Sequence, residues 1–176
     1  MKTSTLFLGA LAGLAAISAA VAADAPAKTD ARVEIVFVQP EKFTDVRDAY
    51  VASDVGRQGI LDQIRDYLVS RANVYIPAGQ KLTVTFTDID LAGDFEPWRG
   101  SEGMDVRIVK DIYPPKMDLE FKLTGADGVV IKEGKRQLRD LMFMSKLSIN
   151  RNDTLRFEKA LLDDWLKSDF PKAKSG

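Results

Sequence analysis

The stretch MDLEFKLTGADGVVIKEGKRQLR, residues 117–139, decides the fold. Met117, Leu119, Phe121 and Leu123 alternate with Asp118, Glu120, Lys122 and Thr124. Successive side chains of a strand point to opposite faces, so the pattern predicts a sheet buried on one face and wet on the other. Gly125, Ala126, Asp127 and Gly128 supply the chemistry of a tight turn. Residues 129–139 are then expected to return as an antiparallel partner, with Gly134 as a candidate bulge.

Upstream, Val33, Ile35 and Phe37 mark a first strand that stops before Pro40. A helix capped by Ser53 or Asp54 follows, carrying Ile60, Leu61, Ile64, Tyr67, Leu68 and Arg71 at helical spacing and ending before Pro77. Residues 81–91 read as the next strand, and a strand-helix-strand order favours parallel pairing. In that strand Leu82, Val84 and Phe86 share one parity while Ile89 and Leu91 take the other. This phase change predicts a bulge or a strand end near Thr87 and Asp88. Met104, Val106 and Ile108 suggest a further strand before Tyr113, Pro114 and Pro115. A last helix, starting after Asp153 or Thr154, lays Phe157, Leu161 and Trp165 on the core. Residues 142–152 fit either a loop or a short helix. The expected fold is a two-layer α/β sandwich, with a mixed sheet of about five strands and two main helices on one face.

The chain has 176 residues, 25 Lys and Arg against 26 Asp and Glu, no histidine and no cysteine. The missing types exclude thiolate and imidazole nucleophiles, Ser-His-Asp triads, haem ligation and the usual zinc sites. A net charge of −1 offers no basic surplus for nucleic acid. No phosphate cradle of P-loop spacing and no G-x-S-x-G nucleophile elbow is present. No cofactor is expected.

Lys2, the apolar run 6–16 and the sequence Ala20-Val21-Ala22 have the form of a signal peptide over 1–22, cleaved after Ala22. The charge-free stretch from Thr3 to Ala23 is mostly Ala, Gly, Ser and Thr and no positive cluster follows it, which argues against an anchor; no transmembrane segment is expected after cleavage. A flexible linker over 23–31, a single α/β domain over 32–170 and a disordered tail over 171–176 complete the expected organisation. The protein is thus expected in the periplasm. Lacking disulfides, it must rely on core burial, which a chain of about 150 residues can supply.

Candidate chemistry concentrates in DIDLAGDFEPWRG, residues 88–100. Asp88, Asp90 and Asp94 are weak candidates for a hard cation, and with Glu96 they could serve a carboxylate-dependent enzyme. The match to an EF-hand loop is poor, since Ala92 and Arg99 fall where oxygen ligands are needed. The bland alternative is a polar turn whose aspartates bond local backbone. Trp98 and Arg99, between Pro97 and Gly100, offer an aromatic and cationic surface for a partner. Alternatively, Trp98 covers the core edge while Arg99 pairs with a nearby carboxylate. Arg107, Lys110 and Asp111 read as a charged strand exterior, or one of them pairs with an acid of the 88–96 loop. The charged run 132–140 is either a basic docking face or a solvated outer strand that discourages aggregation.

The blocks TDIDLAGDFEPWRG (87–100), DVRIVKDIYPP (105–115), EGKRQLRDL (133–141) and RFEKALLDDWLKSDF (156–170) resemble the bacterial family called domain of unknown function 3016. The resemblance spans roughly residues 33–170. It implies a small exported protein of Gram-negative bacteria and carries no activity, ligand or catalytic residue. Residues and resemblance together point to a non-enzymatic binding module of the cell envelope, facing an unknown envelope protein or component through residues 93–100. The alternative is an enzyme or divalent-cation binder built on the acidic loop.

Overall fold

The computed structural model describes residues 32–100, 104–146 and 151–171, without the Arg99 side chain. The expected signal peptide, linker and most of the tail lie outside the described residues. In chain order the elements are β1 (Val33–Phe37), α1 (Asp54–Ala72), β2 (Lys81–Asp90), β3 (Asp94–Phe95), β4 (Arg107–Ile108), β5 (Lys116–Thr124), β6 (Val130–Arg139) and α2 (Arg156–Asp169). Short 3-10 turns occupy Pro40–Lys42, Pro97–Arg99 and Phe143–Ser145.

This is an α/β fold with a mixed four-stranded sheet ordered β1-β2-β5-β6 and a separate two-stranded sheet β3-β4. β1 runs parallel to β2, and β2, β5 and β6 are successively antiparallel. The expected single sheet of about five strands is therefore corrected to four strands plus a small pair. The strand expected around Met104 to Ile108 shrinks to Arg107 and Ile108, because its partner is only Asp94 and Phe95. Gly93, at φ 81°, and Pro97, which lacks an N–H, limit that partner on either side.

The bulge in β2 falls where the parity change placed it: the register shifts between Phe86 and Asp88, returning Ile89 to the buried face. In β6 the irregularity lies opposite Leu123 and Thr124, not at Gly134, which pairs in register with Phe121. Gly134 has a different reason. A Cβ there would lie 3.3 Å from the Phe121 ring and 2.9 Å from the Arg136 guanidinium.

Ser53 caps α1 by accepting the Gly56 N–H at 2.9 Å. Its Ile60, Leu61, Ile64 and Leu68 join Leu82, Val84, Phe86, Met117, Leu119 and Phe121 in the main core, together with Leu161, Trp165 and Leu166 of α2. Each such side chain removed from water contributes about 1.5–3 kcal/mol. Phe121, Trp165 and Phe170 meet edge to face, with centroids 5.5–5.8 Å apart. Phe157, expected on the same stripe, instead packs with Ala92 and Phe143 in a second, smaller cluster.

Arg71 of α1 grips Asp163 of α2 through two bonds at 2.8 and 3.0 Å. The charged run of β6 is not merely solvated. Lys132 and Arg136 lie over the Phe121 ring and both bind Asp169 of α2, while Lys135 faces outward and pairs with Glu120. Among the described residues, no helix is long and apolar enough to cross a membrane.

Candidate functional site

The β3-β4 hairpin stands on a network of buried charge. Asp45, only 5% exposed, comes from the chain that leaves β1, where its N–H bonds the Ile89 carbonyl and its own carbonyl accepts Leu91 N–H. Arg107 of β4 reaches both Asp45 oxygens, at 2.8 and 3.1 Å, and Arg47 reaches one at 2.8 Å. Arg47 also bonds Asp94 at 3.1 Å, and Arg107 donates to the Gly93 and Arg47 carbonyls, each at 2.9 Å. Both guanidiniums lie over the Phe95 ring, at 5.3 and 4.7 Å from its centroid. Burial alone would raise the Asp45 carboxyl, but the bonds and charges of Arg107 and Arg47 outweigh it and hold it below the ordinary aspartate range.

Gly93 roots the hairpin. Its N–H bonds the Tyr113 carbonyl at 3.0 Å, and a Cβ there would stand 2.8 Å from the Ile108 carbonyl oxygen. Glu96 is 1% exposed and is held by Lys110 at 2.5 Å and the Tyr113 hydroxyl at 3.2 Å. The expected pairing of one β4-side charge with the acidic loop is thus realised by Lys110. An open pocket of about 240 Å³ lies beside the network, its lining including Thr44, Arg47, Asp90, Ile112, Tyr113 and Lys116.

The four acids of the loop are not brought together as a ligand set. Asp88 accepts both the N–H and the hydroxyl of Thr44 at 2.7 Å, Asp90 pairs with Lys116 at 2.7 Å, and Asp94 bonds Arg47 and the Phe95 N–H. Among the described residues no group of three or more acids is placed to hold a metal ion. Each carboxylate has its own partner, but the polar-turn reading fits only Asp94, which accepts the Phe95 N–H; Asp88, Asp90 and Glu96 are held by residues distant in the chain.

Trp98 does not cover the core edge. It is 71% exposed on the Pro97–Arg99 turn, which Gly100 closes at φ 104°, while the core position nearby belongs to Phe95.

A family model described as a protein of unknown function, DUF3016, matches residues 31–168. The chain belongs to the DUF3016 family. No curated protein and no solved structure matches it. The DUF3016 match takes in the whole hairpin, the Asp45 network and nearly all of α2.

Sequence reasoning missed Asp45, Arg47 and Glu158. Glu158 of α2 is buried, and its Oε1 accepts the Ala92 N–H at 2.7 Å. Its signal was present, since Glu158, Leu161, Leu162 and Trp165 fall at i, i+3, i+4 and i+7 on the apolar stripe. Asp45 had a fainter one, lying between Phe43 and Val46, both buried.

Proposed function

We propose that this protein is a non-enzymatic binding module of the bacterial cell envelope, carried to the periplasm by residues 1–22, with cleavage after Ala22. It meets an envelope protein or component through residues 93–100. The observation that carries the reading is Trp98, 71% exposed on a short turn. Tryptophan brings the largest apolar area of any side chain, and exposed aromatic anchors dominate binding hot spots.

The base of the turn supports this reading. Arg107, Arg47 and Asp45 fix β3 and β4, and Lys110 holds the buried Glu96 just before Pro97, so the base of the turn is already ordered before association. The binding element is rooted on a two-layer arrangement in which both helices cover one face of the main sheet.

The test is in-cell crosslinking from a photo-reactive residue at position 106, beside the turn, in chains with and without Trp98→Ala and Arg99→Ala. A discrete adduct that either substitution removes supports the proposal. Adducts that persist unchanged in both variants place the binding surface elsewhere.

A further inference from the structure

Helix α2 is joined to the root of the hairpin by a carboxyl that has a partner on one oxygen only. Glu158 is 1% exposed; Oε1 accepts the Ala92 N–H at 2.7 Å, and among the described residues Oε2 has no hydrogen-bond partner. An ionised carboxylate presents about four acceptor sites, and leaving them dry is far costlier for the charged form than for the neutral acid.

Two cations face the group, Arg107 from β4 and Arg156 from α2 itself. Both are engaged elsewhere. Arg107 donates to Asp45, the Gly93 carbonyl and the Arg47 carbonyl. Arg156 lies 4.2 Å from the Phe157 centroid and donates to the Asp153 carbonyl. The acids flanking Ala92 are neutralised in their own pairs, Asp90 by Lys116 and Asp94 by Arg47. Ala92, Phe143 and Phe157 form the apolar cluster on this side and bring no charge. Burial pushes the Glu158 carboxyl above the ordinary glutamate range, and the Ala92 N–H, its own backbone N–H and the charges of Arg107 and Arg156 only partly oppose it.

We propose that Glu158 is a proton-dependent latch: its neutral carboxyl closes α2 onto Ala92, and its ionisation releases the root of the hairpin on that side. Asp45 and Arg107 keep the hairpin anchored on the other side, because the two guanidiniums hold the Asp45 carboxyl below the ordinary aspartate range and so ionised throughout the window in which Glu158 titrates. The latch is therefore a local hinge at residues 91–93. It concerns the docking of the hairpin itself and goes beyond the question of what Trp98 meets.

The experiment is a carboxyl and amide NMR titration of the protein from about pH 4.5 to about pH 8.5, with hydrogen exchange at the Ala92 amide. The Glu158 carboxyl is expected to titrate above the ordinary value of about 4.3, with the Ala92 resonance following the same midpoint. Protection of that amide, corrected for intrinsic exchange, should fall by up to about tenfold per pH unit between the ordinary glutamate value and the midpoint, and level off above it. In Glu158→Gln the step at Ala92 should vanish. A Glu158 carboxyl that titrates at the ordinary value, or whose titration Ala92 does not follow, overturns the proposal. The wild-type titration decides this even if the variant does not fold.

Discussion

Arg107 holds Asp45 by both carboxylate oxygens across 62 residues of chain, tying the strand that ends the small hairpin to the segment that leaves β1. The pair is more than an ornament of the surface. The Asp45 side chain is 7% exposed and that of Arg107 19%, so neither group can recover its hydration if the other is removed. Asp45→Ala is therefore expected to destabilise the protein by about 3 kcal/mol, the low end for a broken buried pair. The urea unfolding midpoint measures it, and a change below about 1 kcal/mol would show the pair to be dispensable.

The same carboxyl predicts an acid limb of stability. Its folded-state ionisation is lowered, so its contribution is full above the unfolded value of about 3.9 and is lost as pH falls through the lower folded value. Asp153 and Asp169 are lowered as well and add to the same limb. Thermal unfolding followed downward from about pH 5 should show a steep loss in the wild type and a shallower one in Asp45→Asn.

Glu158 has the opposite sign. Its folded-state ionisation is raised, so its contribution is full below the unfolded value of about 4.3 and is lost as pH rises through the folded value. Glu158→Gln keeps an oxygen for the Ala92 N–H and removes the buried charge. It should gain about 1 kcal/mol near neutral pH and nothing near pH 4. Melting temperatures of the two proteins at both pH values provide the comparison; equal gains at both would rule out a charge effect.

Trp98 and Phe95 lie three residues apart and should behave in opposite ways. Trp98→Ala removes an exposed side chain and should leave stability within about 0.5 kcal/mol, whereas Phe95→Ala empties a buried position and should cost about 3–5 kcal/mol. Denaturant titrations of both variants distinguish a surface Trp from one that holds the fold together.

Three glycines give a graded series. Gly59, within α1, has nothing within 4 Å of an added Cβ, so Gly59→Ala should stabilise by about 0.5–1 kcal/mol. Gly100→Ala meets no neighbour but keeps a φ of 104°, and should cost about 1 kcal/mol. At Gly93 a Cβ meets the Ile108 carbonyl oxygen at 2.8 Å in addition to a φ of 81°, so Gly93→Ala should cost more, about 2–3 kcal/mol. Calorimetric melting of the three variants tests the ranking.

Much of this architecture was legible from local pattern. The alternation at Met117 to Leu123, the turn at 125–128, the cap at Ser53 and the parity change before Ile89 each depend on near neighbours in the chain. Strand and helix periodicity are properties of the backbone, so a sequence can reveal them directly. Periodicity could not say that Arg107 and Ile108 would pair with only two residues, since that limit comes from Gly93 and Pro97 on another segment.

The sequence by itself determined the exclusions, the main helices and the buried face of the sheet, and left open whether Trp98 covers the core edge or faces outward, which the structure decided. Tertiary structure decided which charges meet. Asp45 is joined to Arg107 and Asp88 to Thr44 by contacts spanning 62 and 44 residues. A carboxylate's role depends on the cation or amide beside it in space, and nothing in the local chain encodes that neighbour. For this reason the acidic loop that looked like one site is four separately partnered acids. The least satisfied acid, Glu158, lay unnoticed on the apolar stripe of the last helix.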